Sequence, residues 1–142
     1  MKVARRLLLF FRRSGRQAQF SGLLRRQEKE PPRLRDLHSF VVDHLDETLS
    51  IERLAEQMAM SPRSLSRWFQ KEVKETPAAF VRNLRLEDAK RLLSESNLGL
   101  SEIASRTGLG DHSTLWRTFT RLLGISPDDF RKRFKVNASE LA

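Results

Sequence analysis

This chain contains two copies of one pattern. Leu54-Ala55 and Ala59-Met60 correspond, at an offset of 49, to Ile103-Ala104 and Gly108-Leu109. One extra residue in the second copy shifts the offset to 50, and Leu65, Arg67, Phe69, Pro77 and Phe80 then correspond to Leu115, Arg117, Phe119, Pro127 and Phe130. A repeat at this period constrains the fold, because each copy is then one supersecondary unit. The extra residue predicts a turn, where added length leaves both flanking helices intact.

Each copy reads as a short helix, a tight turn and a second helix, followed by a cap that opens a third. In the first, Ser50 can cap a helix over 51–58, and Ser61-Pro62 supplies a cap hydroxyl and a proline for the first helical position of the next. In the second, Ser101 and Asp111 take those places. Gly108 can adopt a positive φ at little cost, which Ala59 does less easily. Thr76-Pro77 and Ser126-Pro127 repeat the cap signature after each second helix. Between the copies, residues 77–95 form an amphipathic stretch carrying Phe80, Leu84, Ala89, Leu92 and Leu93 at helical spacing. As a helix it spans about 28 Å at 1.5 Å per residue, suited to holding two helices about one turn of DNA apart, roughly 34 Å. An earlier helix over 34–46, with Leu37, Phe40, Val41, His44 and Leu45, is expected to pack on the first unit. Six Gly, five Pro and no Tyr, with Leu, Arg, Glu and Ala prominent, agree with an all-α fold.

The formal charge of +9 points toward nucleic acid only after its distribution is considered. Residues 1–35 hold eleven Lys and Arg against Glu28 and Glu30, whereas residues 36–142 hold sixteen basic and sixteen acidic side chains. The repeat region is thus neutral as a whole. Its chemistry rests on where its arginines project. Residues 2–13 read as a short basic helix, and Gly15, Gly22 and Pro31-Pro32 mark a linker. The expected division is 1–33 for this basic helix and linker, 34–136 for the tandem helix-turn-helix domain and 137–142 for a tail. Leu7 to Phe11 is too short an apolar run for a membrane span and shorter than a typical signal-peptide core. No membrane association is expected. With no cysteine, disulfides and thiolate metal sites are excluded, which suits a cytoplasmic protein.

The second helix of each copy carries the distinctive chemistry. Over 62–73, Leu65, Phe69 and Val73 form the inward stripe, so Arg63, Ser66, Arg67 and Gln70 project together from the other side. Arg and Gln can make paired hydrogen bonds to guanine and adenine edges in the major groove. Over 112–123, Leu115, Phe119 and Leu122 or Leu123 point inward, leaving His112, Ser113, Trp116, Arg117 and Thr120 outward. Trp116 has two open readings: an indole that meets a thymine methyl or sugar edge, or one folded back on the core. A lone arginine on a helix face is usually surface charge. The repeat retains this one beside small polar residues on both second helices, which favours base reading by Arg67 and Arg117. Gln70, Lys71, Lys74, Thr120 and Arg121 are candidate phosphate contacts. Lys90 and Arg91 have no such support and read as plain surface charge.

Other chemistries find no constellation. His38, His44 and His112 lack metal-ligand spacing. Gly108-Leu109-Gly110 lacks the third glycine and preceding strand of a dinucleotide fingerprint. Asp128-Asp129 follows a helix cap, where negative charge is favoured. No cofactor and no enzymatic activity are expected. The alternative to DNA binding is a helical interaction or dimerisation fragment.

Residues 34–134 resemble the AraC/XylS family of bacterial transcription regulators through Leu65-Ser66-Arg67-Trp68-Phe69, Arg85-Leu86-Glu87-Asp88-Ala89 with Leu92-Leu93, Glu102-Ile103-Ala104, Thr118-Phe119, Gly124-Ile125-Ser126-Pro127 and Phe130-Arg131. The resemblance implies seven helices, two helix-turn-helix units on a shared linker helix and a monomer reaching two successive major grooves of double-stranded DNA. It places base reading at Arg63, Ser66, Arg67, His112, Ser113, Trp116 and Arg117. RNA polymerase is the further partner it implies for an activator. Leu109 stands where an aromatic residue is usual, and Lys74 where glycine is usual. Val3-Ala4-Arg5-Arg6 through Gln17-Ala18-Gln19-Phe20-Ser21 resembles the junction in members with an upstream PfpI or glutamine-amidotransferase-like domain. On that resemblance the chain is the C-terminal portion of such a regulator, with dimerisation through the upstream domain.

Overall fold

The computed structural model describes residues 31–135. The expected basic helix over 2–13 and the tail over 137–142 lie outside the described residues. Among the described residues seven α-helices follow one another: α1 (Pro32–Asp43), α2 (Ile51–Gln57), α3 (Pro62–Trp68), α4 (Pro77–Glu95), α5 (Leu100–Thr107), α6 (His112–Leu123) and α7 (Pro127–Phe134). Among the described residues there is no strand.

Most helices begin where a side chain satisfies an amide that the first turn leaves open. Ser50 accepts from Arg53 N, Ser61 from Ser64 N, Thr76 from Ala79 N, Asp111 from Thr114 N and Ser126 from Asp129 N. Proline at the first helical position of α1, α3, α4 and α7 loses no bond, because the N–H it lacks has no partner there. For the same reason α1 starts at Pro32, ahead of the expected residue 34, and it ends at Asp43 rather than 46. Leu45 is nevertheless buried just beyond it. The expected role of Ser101 as a cap is corrected. Gly99 precedes α5 with no side-chain cap, and Ser101 lies inside the helix. Leu98 and Leu100 pack on the second core and draw the start of the helix toward it.

The turns of the two units are built alike. Ala59 and Gly108 both adopt the left-handed conformation, at φ 56° and 75°. Met60 N donates to Ala55 O at 2.9 Å and Leu109 N to Ala104 O at 3.0 Å, closing each α2- and α5-type helix end with the same six-residue loop. Gly110, at φ 89°, supplies the extra residue of the second copy. The units differ one helix later. The expected continuous helix over 62–73 is α3 followed by a π-helical turn, Phe69–Val73, which ends as Lys74 N donates to Phe69 O at 2.7 Å. Gly124 instead ends α6 with an α-type bond to Thr120 O at 2.9 Å. Both terminators are left-handed, Lys74 at φ 69° and Gly124 at φ 72°.

Two hydrophobic cores share α4. The first joins Leu34, Leu37, Val41, Leu45, Leu54, Ala55, Met58, Leu65, Phe69, Phe80 and Val81. The second joins Leu86, Ala89, Leu92 and Leu93 to Ile103, Ala104, Leu109, Leu115, Phe119 and Phe130. Each has an edge-to-face aromatic pair at its centre: Phe69 with Phe80 at 5.4 Å and Phe119 with Phe130 at 5.5 Å. These are repeat-equivalent residues. The far side of α4 departs from expectation, since Lys90 and Arg91 are not plain surface charge. Lys90 is buried and pairs with Glu87 at 2.9 Å, while Arg91 bridges buried Asp88 at 3.1 Å and Glu95 at 3.9 Å. Spacings of three and four residues bring these side chains together along one helix.

Candidate nucleic-acid interface

The outward faces of α3 and α6 follow from what they bury. Leu65, Phe69, Leu115 and Phe119 are each 0% exposed, so the opposite side of each helix faces solvent. On α3 and its π-helical extension, Arg63, Ser66, Arg67, Gln70, Lys71 and Lys74 are all exposed. His112, Ser113, Arg117 and Arg121 are exposed on α6. Among the described residues, Arg63, Arg67 and Arg117 are in no ion pair, in contrast to Arg53 with Glu47 and Arg106 with Glu102. Guanidinium groups without a carboxylate partner keep their fork of donors open to a ligand.

Trp116 sits at the edge of the outward face of α6. Its side chain is half-buried and belongs to neither core. It leans toward His112 with ring centroids 6.2 Å apart and planes inclined by 55°. An aromatic pair therefore occupies the outer face of α6 where Ser66 stands on α3. Thr120 is placed differently from the other phosphate candidates. Its hydroxyl oxygen is buried and makes no hydrogen bond within the described residues, so the geometry does not present it to a phosphate.

The start of α6 is electrostatically defined. Asp111 Oδ1 accepts from Thr114 N at 2.8 Å. That backbone bond, followed by a bond from the Thr114 hydroxyl and the positive charge of Arg117, holds the Asp111 carboxyl below the usual carboxylate range. Arg117 Nη2 lies 3.5 Å from Thr114 Oγ1, a marginal hydrogen bond that leaves the guanidinium's other donors open. On the shorter α3, Ser61 does the equivalent work without charge, accepting from Ser64 N at 3.1 Å.

Basic residues that bind backbone carbonyls between elements were the part that helix periodicity missed. Arg85 on α4 donates to Leu45 O and Glu47 O at the end of α1. Lys135, its counterpart at the offset of 50, donates to Ser96 O at the end of α4, where Arg131 also binds Leu93 O and Ser96 O. The offset between Arg85 and Lys135 was available as a signal, but a basic residue contacting backbone carbonyls about forty positions away leaves no periodic trace. Among the described residues no group of His, Cys, Asp and Glu could hold a metal ion, and no helix is long and apolar enough to cross a membrane.

Comparison with known proteins agrees with this geometry. Residues 54–133, more than half of the chain, match the family model described as a helix-turn-helix domain. The chain is 45% identical over 84 residues to the HTH-type transcriptional regulator Rv1931c of Mycobacterium tuberculosis, an alignment that covers 59% of this chain and 32% of that protein. It is 33% identical over 112 residues to the HTH-type transcriptional activator RhaS of Salmonella newport, covering 79% of this chain and 40% of that protein. The chain thus spans about a third to two-fifths of the length of these curated relatives. Among solved structures, it is similar to the DNA-binding domain of AdpA in complex with a target DNA, with a TM-score of 0.66 and 30% identity over 75% of this chain and 94% of that one. The C-terminal domain of the response regulator AraT from Geobacillus stearothermophilus gives a TM-score of 0.70 and 26% identity, covering 78% of this chain and 92% of that one. With two capped helix-turn-helix units on one linker helix and these relatives, the chain belongs to the AraC-type family of DNA-binding transcription regulators.

Proposed function

We propose that this chain reads a two-part site on double-stranded DNA, with α3 and α6 entering successive major grooves. One observation carries the reading: Arg67 and Arg117, equivalent in the repeat, stand exposed and without carboxylate partners on the faces opposite two fully buried stripes. Arg63, Ser66 and Arg67 read bases in one groove, and His112, Ser113, Trp116 and Arg117 in the next. Gln70, Lys71, Lys74 and Arg121 contact phosphates and set the register. Reading unit and linker occupy 34–136, and the basic residues before position 34 add attraction to phosphate that is independent of sequence.

Because the RhaS proteins are named activators, we further propose that the DNA-bound chain activates transcription through RNA polymerase in the cytoplasm. Selection of bound duplexes from a random pool tests the DNA reading. The expected product is one motif with two conserved segments about ten base pairs apart centre to centre. Enrichment of no motif, or of a single short segment, overturns it.

A further inference from the structure

The two cores have no residue in common. Each unit packs on its own stretch of the continuous helix α4, which sets their coarse relation, and the two cores do not merge across the boundary. The change from one core to the other falls within a single turn of α4, where Leu84 packs on the first and Leu86 is buried in the second. Arg85 lies between them. Its Nε donates to Leu45 O at 3.2 Å and its Nη2 to Glu47 O at 2.7 Å, binding the segment that follows α1.

The second unit meets this clamp through its turn. A methyl group placed on Gly108 would come within 2.0 Å of Leu45 O and 2.7 Å of Arg85 Nε. The backbone of that turn is thus seated against both the carbonyl and the guanidinium, and only a residue without a side chain fits. Three segments, one from each unit and one from the linker helix, converge on one side chain. Partial burial pushes the Arg85 pKa down from its ordinary value. A guanidinium is planar, and two donors engaged at once define an angle as well as a distance.

We propose that Arg85, seated against Gly108, is a positioning residue that sets the angle and separation of α3 and α6, and so the half-site spacing the protein accepts. The proposal rests on the two-groove reading above. One base pair moves a half-site by about 3.4 Å along the duplex and turns it by about 35°, so a rigid protein must reject the displaced site. A protein with a loosened clamp follows it.

The test uses the full chain on the selected duplex and on versions with one base pair added or removed between the half-sites. The unsubstituted protein is expected to lose about tenfold or more in affinity on either altered duplex. Arg85→Ala should cut that loss to about threefold or less, with Arg85→Lys between the two, while penalties for base changes inside each half-site stay the same. A readout without DNA accompanies it. The chain has no cysteine, so Glu56→Cys with Ser105→Cys, both exposed, accepts spin labels on α2 and α5 alone. The distance distribution between the labels should broaden in Arg85→Ala. Should that variant fail to melt cooperatively, Arg85→Lys carries both measurements. An unchanged spacing preference or an unchanged distribution overturns the clamp and leaves the two-groove reading standing. An unsubstituted protein indifferent to spacing overturns both.

Discussion

Ala59 and Gly108 hold the same place in the two units and share a left-handed backbone, and Gly108 is seated against Leu45 O and Arg85. Ala59 is exposed. A left-handed backbone costs on the order of 1–2 kcal/mol for an L-residue. Ala59→Gly removes that cost and adds chain entropy to the unfolded state, so a net gain of about 0.5–1 kcal/mol is expected by urea denaturation. A loss of stability would mean that the Ala59 methyl makes a contact of its own.

Base reading by Arg67 and Arg117 predicts losses confined to sequence discrimination. Arg67→Ala and Arg117→Ala should each relax preference at one base pair by about 1–3 kcal/mol, at positions about ten base pairs apart. Competition binding with single-base variants of the selected site measures this. Equal weakening on selected and random DNA would instead make them phosphate contacts.

The cap of α6 should depend on pH through Asp111. Hydrogen bonding from Thr114 depresses its folded-state pKa, so its contribution is complete above the unfolded value of about 3.9 and is lost as pH falls through the lower folded value. Asp111→Asn keeps an acceptor for Thr114 N but removes the charge. The difference in urea midpoint between the two proteins should narrow from about pH 5 to about pH 3. A constant difference would assign the cap to geometry alone.

Lys90 belongs to the fold rather than to the DNA surface. Its ammonium is paired with Glu87 at 2.9 Å and its side chain is only 9% exposed. Lys90→Ala should cost about 1–3 kcal/mol of stability, less than for a fully buried pair because Glu87 is 31% exposed. The salt dependence of DNA binding should not change. A phosphate contact would instead lower its slope by about one.

Much of this architecture was legible in the chain. The repeat, the Ser-Pro and Thr-Pro caps and the spacing of Leu65, Phe69, Leu115 and Phe119 depend on residues a few positions apart, so they locate α3, α4, α6 and α7 and their outward faces. The resemblance sharpened these faces to particular residues. Lys90 was misread because its periodicity places it among the polar positions of α4, and burial depends on what packs against that side. Burial of the Thr120 hydroxyl was hidden for the related reason that a helix face has borders, which local spacing does not draw.

Period and capping are properties of neighbouring residues, and they alone establish that two like units exist, which side of α3 and of α6 is apolar and which arginines the units share. Tertiary structure alone decided how the units stand to one another. That relation runs through Arg85, Leu45, Glu47 and Gly108, residues drawn from three segments far apart in the chain. The two cores meet only through α4, and at their boundary a polar group with directional bonds joins the segments that apolar packing leaves apart.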